Sequence, residues 1–258
     1  MSQFGHDSQD TIIYGPVLSR RYGRTLGLNL FPRIAKLCNW NCVYCQLDWT
    51  PPSMTGYADD PALIASPEEL RTALLEVDEE TLKSVGTLMV CGNGEPTLHP
   101  SFEACVDEIL EFRSTRAPSL RVSVLTNGSR LSRPKVFAAL ARVDQVAVKL
   151  DAADDLTLKR VNGPREKTDL LEIGGLVRQL PNSIIQSCFI EGAVSNVKTE
   201  CVDVWIEALR FIQPRRVEIY TVSRPTPTQK IHAVAQPTLE AICERARREA
   251  NLEVEVFA

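Results

Sequence analysis

No apolar run in the chain is long enough to cross a bilayer, and the polar residues 1–10 lack the apolar core of a secretion signal. Both absences point to a soluble, cytoplasmic protein with no membrane partner. No internal repeat of fixed short period and no low-complexity stretch is present, so residues 1–258 read as a single domain. Positive charge is not in excess. The formal net charge is −4, which gives no general nucleic-acid footprint. Basic clusters occur at Arg20, Arg21 and Arg24 and at Arg245, Arg247 and Arg248. The second interleaves with Glu244 and Glu249 and reads as a solvated helix face. A local basic groove on an acidic protein still leaves an RNA substrate open. Histidine is scarce: His6, His99 and His232 are all there is.

A chain of 258 residues, 44% of them hydrophobic, buries a core large enough to need no disulfide staples. Its eight cysteines are therefore expected to stay reduced in a cytosolic setting. Cys91, Cys105, Cys188, Cys201 and Cys243 are scattered among apolar neighbours and read as small buried hydrophobes. Cys38, Cys42 and Cys45 lie within eight residues and need another explanation.

Strand-like and helix-like segments alternate. Strands are expected at Gly27–Phe31, Leu88–Asn93, Arg121–Thr126, Gln145–Asp151, Ile184–Ile190 and Arg216–Val222, each short and rich in Val, Ile or Leu. Ser66-Pro67-Glu68-Glu69 has the form of an N-cap, a proline at N1 and acids in the first turn. Further helices are expected at Phe102–Phe112, Arg133–Ala141, Asp169–Gln179, Glu200–Ile212 and Leu239–Ala250. Such alternation implies parallel pairing through right-handed crossovers. About six units are too few for an eight-fold barrel, so the expected fold is α/β, a partial (βα)6 TIM-type barrel. The core would cover about 12–227. Residues 228–258 would form a helix-and-strand appendage covering a barrel edge.

The triplet reads Cys38-Asn39-Trp40-Asn41-Cys42-Val43-Tyr44-Cys45, a C-x3-C-x2-C spacing directly after the first expected strand. Thiolates are the natural ligands of iron–sulfur clusters. Three of them hold three irons of a cubane and leave the fourth open to a non-protein ligand. Zinc and coincidence compete with this reading. Structural zinc normally takes four protein ligands, and no fourth Cys or His lies near the triplet in sequence. A zinc-stabilised binding module thus stands as the alternative from a different class.

The triplet, with Tyr44 before its last cysteine, resembles the radical S-adenosylmethionine (SAM) superfamily. Cys91-Gly92-Asn93-Gly94-Glu95-Pro96-Thr97 resembles that superfamily's GGEP element. Tyr14-Gly15-Pro16-Val17, Leu26-Gly27-Leu28-Asn29, Lys149-Leu150-Asp151-Ala152 and Tyr220-Thr221-Val222-Ser223-Arg224-Pro225 resemble a narrower group. This is the group of small iron–sulfur oxidoreductases that includes the wyosine tRNA synthases. The resemblance implies one [4Fe-4S] cluster on Cys38, Cys42 and Cys45, and reductive cleavage of SAM to a 5′-deoxyadenosyl radical. That radical would abstract hydrogen from an unidentified substrate: a small molecule, a peptide or an RNA base. The tRNA synthases carry a fused flavodoxin-like domain or extra N-terminal cysteines. No cysteine precedes Cys38, so a one-cluster enzyme is expected, with tRNA-base modification as an alternative. Its electron would come from a separate flavodoxin or ferredoxin.

By the same resemblance, Tyr44 would lie against the adenine, and Gly94 and Glu95 would face the methionine ammonium. A cation wants acceptors, and glycines let backbone approach a ligand closely. In Gln145–Asp151, period two sets Val146, Val148 and Leu150 on one face and Ala147, Lys149 and Asp151 on the other. Lys149 and Asp151 would then point inward at the carboxyl end of a barrel strand, where ligand contacts are built. Contact with the cofactor's ribose or carboxylate, or with substrate, is expected of them. Asn127 is read either as a ribose or carboxylate ligand or as a plain Asn-Gly turn with Gly128.

Overall fold

The computed structural model describes residues 10–51 and 61–257. The chain forms two compact units. One comprises Met1–Cys38, Pro51–Thr126 and Arg133–Val146; the other comprises Asn39–Thr50, Asn127–Ser132 and Ala147–Ala258. Among the described residues no helix is long and apolar enough to cross a membrane.

The first unit opens with an antiparallel pair, β1 (Ile13–Ser19) and β2 (Gly23–Leu28). β2 then pairs in parallel with β3 (Thr87–Val90), and β3 with β4 (Arg121–Thr126). The helices α1 (Pro67–Leu75), α2 (Glu79–Ser84), α3 (Phe102–Arg116) and α4 (Pro134–Leu140) lie between and after these strands. All four residues of β3 are buried, which is why the run has no apolar–polar alternation. The first expected strand is displaced: it runs from Gly23 and stops at Leu28. Asn29 ends it, because the Asn29 carboxamide oxygen accepts the Phe31 and Asn93 backbone N–H groups, each at 3.1 Å. The start of α1 is as expected. Ser66 Oγ accepts from the Glu69 backbone N–H at 3.1 Å, and the Glu69 carboxylate accepts from the Ser66 N–H at 2.8 Å.

β5 (Gln145–Lys149) begins in the first unit and ends in the second. The second unit continues with α5 (Asp155–Val161), α6 (Leu170–Val177), β6 (Ser183–Gly192), α7 (Thr199–Ile212) and β7 (Val217–Thr221). It ends with β8 (Ile231–Ala233), α8 (Gln236–Ala250) and β9 (Val254–Phe257). β6 and β7 are parallel, β7 pairs in parallel with β9, and β8 pairs antiparallel with β6. The C-terminal segment thus covers the β7 edge, as an exposed edge requires. α7 carries Val202, Trp205, Ile206, Leu209 and Ile212 on one buried stripe at helical spacing. The Trp205 indole N–H donates to the Leu150 carbonyl at 3.2 Å and to Ser187 Oγ at 3.0 Å, which fixes the chain just before Asp151.

Candidate functional site

The cysteine loop is held by backbone hydrogen bonds on both sides. In the first unit the Leu37 N–H donates to the Asn93 carbonyl at 2.7 Å, and the Glu95 N–H donates to the Leu37 carbonyl at 2.9 Å. These two bonds form a short parallel bridge between Leu37 and Gly94. A Cβ on Gly94 would come within 1.7 Å of the Leu37 carbonyl oxygen, and its φ of +146° is one that favours glycine. The close approach expected of this glycine is therefore made to the chain itself, at the residue before Cys38. Asn93 adds its carboxamide, donating to the Phe31 and Ile34 carbonyls at 3.1 and 3.0 Å. Glu95 is buried. Its Oε1 accepts from Thr97 N at 3.1 Å, Thr97 Oγ1 at 2.6 Å and Thr126 Oγ1 at 2.7 Å. One carboxylate oxygen thus caps the short 3-10 turn Pro96–Leu98.

In the second unit the residues after Cys38 run against Val161–Arg165. The Asn41 N–H donates to the Asn162 carbonyl at 2.9 Å, Val43 N–H to Val161 at 2.9 Å, and Arg165 N–H to Asn39 at 3.0 Å. Cys45 N–H closes a turn onto the Cys42 carbonyl at 3.0 Å. Asn127 makes the turn that was one of its two expected readings, and it also reaches Asn39. Its Oδ1 accepts from the Ser129 N–H at 2.9 Å, making the turn, and its Nδ2 donates to Asn39 Oδ1 at 2.9 Å. Asn39 in turn donates to Ser129 Oγ at 2.9 Å. Asn127 and Ser129 thus tie down Asn39, the residue after Cys38.

Asp151 is the hub of this unit. Its side chain has no exposed surface. Oδ1 accepts from Lys149 Nζ at 2.8 Å and from the Cys188 backbone N–H at 2.6 Å. Oδ2 accepts from Asn162 Nδ2 at 2.6 Å and, in a short bond, from the Tyr44 hydroxyl. Four donors occupy its lone pairs, so the carboxylate expected to reach a ligand is used to position Tyr44, Asn162 and Lys149. Burial alone would lower the Lys149 pKa; the charge of Asp151 and the neighbouring Tyr220 leave it raised instead. Lys149 Nζ also donates to the Tyr220 hydroxyl at 2.8 Å, and stands 5.4 Å from the centre of the Tyr44 ring. Burial, and next the charge of Asp151, push the Tyr44 phenol well above its ordinary range.

Asn162, fully buried, was not among the residues expected from sequence. Its Nδ2 faces Cys42 Sγ and the Tyr44 hydroxyl, both at 3.4 Å, while its Oδ1 is buried with no hydrogen-bond partner among the described residues. The Asn162-Gly163-Pro164 sequence signals only a turn. Asn196 was missed too: its Nδ2 donates to the Asp151 and Cys188 carbonyls, both at 2.8 Å, and its Oδ1 accepts the Ile190 N–H at 2.8 Å. Burial, then the charges of Asp151 and Cys45, push the Cys42 thiol up to about 12. Asn162 pulls the other way, as a donor to sulfur must. Such a donor suits a thiolate that serves as a metal ligand. Among the described residues no three His, Cys, Asp or Glu side chains are grouped as for a single metal ion.

A sequence profile of the Radical SAM superfamily matches residues 33–190. The chain belongs to the radical SAM superfamily. A UPF0026 protein of Helicobacter pylori is 30% identical over 83% of this chain and 67% of its own. A Brachyspira hyodysenteriae protein named GTPase Obg is 28% identical over 95% of this chain, which spans only 35% of that protein. Among solved structures, a radical SAM methyltransferase from Sphaerobacter thermophilus has a TM-score of 0.65 at 15% identity, over 90% of this chain and 65% of that one. Archaeal TYW1 has a TM-score of 0.54 at 12% identity, over 96% and 77%. These likenesses show the fold, the α/β partial-barrel class expected from the sequence. Members of that superfamily use a [4Fe-4S] cluster and SAM.

Proposed function

We propose that Cys38, Cys42 and Cys45 hold one [4Fe-4S] cluster and that the residues around Tyr44 bind SAM beside it. When bound, the pair supplies reductive cleavage of the sulfonium to a 5′-deoxyadenosyl radical that takes a hydrogen atom from substrate. The observation that carries this reading is the donor set. Three thiols lie within eight consecutive residues, no fourth Cys or His is in the loop, and Asn162 donates to the Cys42 sulfur at 3.4 Å.

The chain's own residues divide the work. Asn162 supports the Cys42 thiolate with one amide hydrogen, and its unpartnered Oδ1 offers an acceptor to a ligand carrying N–H or O–H groups. A buried acceptor left unpaired costs about 1–3 kcal/mol, so a donor is wanted there. SAM, with its ammonium and ribose hydroxyls, has such donors. Asp151 holds the Tyr44 ring by its hydroxyl, so the ring's orientation is set before any ligand arrives. Lys149 keeps its proton and presents a fixed positive charge between Tyr44 and Tyr220, suited to a carboxylate. Gly94 and Glu95 serve by clamping Leu37, the neighbour of the first cysteine. A separate one-electron donor protein supplies the reducing equivalent.

Anaerobic reconstitution tests the reading. About four irons per chain are expected, falling to near zero when any of the three cysteines is changed to serine. Reduction with dithionite in the presence of SAM should release 5′-deoxyadenosine. A folded protein that takes up one zinc and no sulfide would refute it.

A further inference from the structure

Residues 222–233 follow β7 at its carboxyl end, where a barrel builds its ligand contacts. The segment is pinned at several points. Thr221 Oγ1 donates to the Phe189 carbonyl and accepts the Val234 N–H, both at 2.8 Å, so one hydroxyl ties the two ends. The Ala193 N–H donates to the Lys230 carbonyl at 2.8 Å. A Cβ on Gly192, whose φ is +123°, would come within 2.3 Å of that carbonyl oxygen, so glycine is what lets β6 and the segment meet.

The segment lines a cavity of about 410 Å³, within the roughly 300–1,000 Å³ range of small-molecule sites. Its apolar wall includes Val222 and Ile231. Ile231 belongs to the buried cluster against which Tyr44, Tyr220 and Val222 pack, so the cavity shares a wall with the residues proposed to hold SAM. Its polar wall includes Arg224, Thr228, Gln229 and His232, and no Asp or Glu lines it among the described residues. Arg224 Nη1 donates to Gln46, the residue after Cys45, at 3.1 Å. That neutral amide is no counter-charge, and among the described residues no carboxylate lies within ion-pair distance of Arg224. Arg130, Arg216 and Arg245 of the same unit each face a carboxylate. Thr228 Oγ1 accepts the Lys230 N–H at 3.2 Å, which leaves its own O–H to donate. His232 stands in register with Glu191, which offsets any charge on the ring, so Arg224 carries the electrostatic case. A carboxylate would be filled by the guanidinium fork alone. A phosphoryl group has further acceptor oxygens and uses the hydroxyl and amide donors as well.

We propose that this cavity takes the phosphoryl group of a phosphorylated small-molecule substrate, held by Arg224 and Thr228 with the apolar wall against the rest of the molecule. This rests on the radical SAM reading made above and names the class of substrate which that reading leaves open.

The test labels the full-length protein, as isolated and as reconstituted, with the arginine reagent phenylglyoxal and follows the Arg224 peptide by mass spectrometry. Glycerophosphate is the probe. At saturation it should slow labelling of Arg224 about fivefold or more, because a charge-assisted contact covers the guanidinium, and leave exposed Arg160 on α5 unchanged. Glycerol or acetate at matched ionic strength should protect neither. Phosphorus NMR should show the glycerophosphate line broadened by the wild type, much less by Thr228→Val, and not by Arg224→Gln, a change at an exposed side chain that the fold tolerates. Equal labelling of Arg224 with and without glycerophosphate would overturn the proposal. So would equal protection by acetate, or protection by bulk tRNA and not by glycerophosphate. Neither measurement uses turnover, so a failure to form 5′-deoxyadenosine strikes at the cluster assignment and leaves the cavity to be decided by the labelling.

Discussion

Changing Asp151 to Asn alters two atoms of the carboxylate hub and leaves its shape. The carboxylate accepts four hydrogen bonds, from Lys149, Cys188, Asn162 and Tyr44. A carboxamide keeps one acceptor oxygen and turns an amide NH2 toward two of the four donors. Two hydrogen bonds to a charged acceptor are lost, at about 1.5–3 kcal/mol each. The Lys149 ammonium, only 17% exposed, is left without its counter-charge, a loss placed independently at about 3–5 kcal/mol. These two figures describe overlapping events, so the expected destabilisation is about 4 kcal/mol and not their sum. For a chain of this length that corresponds to a Tm lowered by roughly 8–16 °C. Circular dichroism melts of the metal-free protein measure it without any cofactor. Lys149→Met in the Asp151→Asn background should restore part of the loss, because the orphaned charge is then gone; a coupling of about 2 kcal/mol is expected. A Tm shift under about 2 °C, or strict additivity, would refute the hub.

Two other sites give independent tests. The His99 ring donates from one nitrogen to the Ala65 carbonyl at 2.8 Å, and its Nδ1 accepts the Ser101 N–H at 3.1 Å, so the neutral ring is fully satisfied. Burial holds its pKa below the ordinary 6.5. The unfolded chain therefore takes up a proton first, and stability present above pH 6.5 should fall as the pH drops toward 5. Urea midpoints between pH 7.5 and 5.5 should show this slope in the wild type and a shallower one in His99→Gln; equal slopes would count against it. Gly94→Ala puts a methyl against the Leu37 carbonyl and breaks the two backbone bonds of that bridge, a cost on the order of 3 kcal/mol. Gly86→Ala, with nothing within 4 Å, should stay within about 0.5 kcal/mol in the same melts.

How much of this was legible beforehand follows from which physics each feature depends on. Strands such as Arg121–Thr126 are set by a local run of apolar residues and their turn signals, and that strand was read to the residue. β1 was missed. It is half-exposed, broken by Gly15 and Pro16, and exists through its pairing with β2, which no local pattern encodes. Helices α2 and α5 are six and seven residues long, too short for a helical period to declare itself. Yet each carries an aspartate cap that the sequence displays: Asp78 accepts from the Thr81 N–H at 2.8 Å and Asp154 from the Thr157 N–H at 2.9 Å.

The candidate site divides along the same line. Cysteine spacing, the glycines around Asn93 and the alternation in β5 are local patterns, so the residues they single out are legible without any tertiary partner. Their roles shift because long-range partners decide roles. Glu95 and Asp151 were read as reaching outward to a ligand, and Asn127 as either a ligand or a turn residue, since a charged or polar group at a strand's carboxyl end looks free. Each meets an internal partner instead: Thr126, Asn39 and Asn162, at separations of 31, 88 and 11 residues. A buried carboxylate or carboxamide must find its donors and acceptors somewhere, and in sequence an asparagine that supplies them is indistinguishable from one in a turn. Asn39, Asn93, Asn162 and Asn196 are of this kind, each with 1% of its surface exposed or less. The cysteines declare the chemistry because thiolate spacing is rare; the asparagines that orient them stay silent because a buried amide is common.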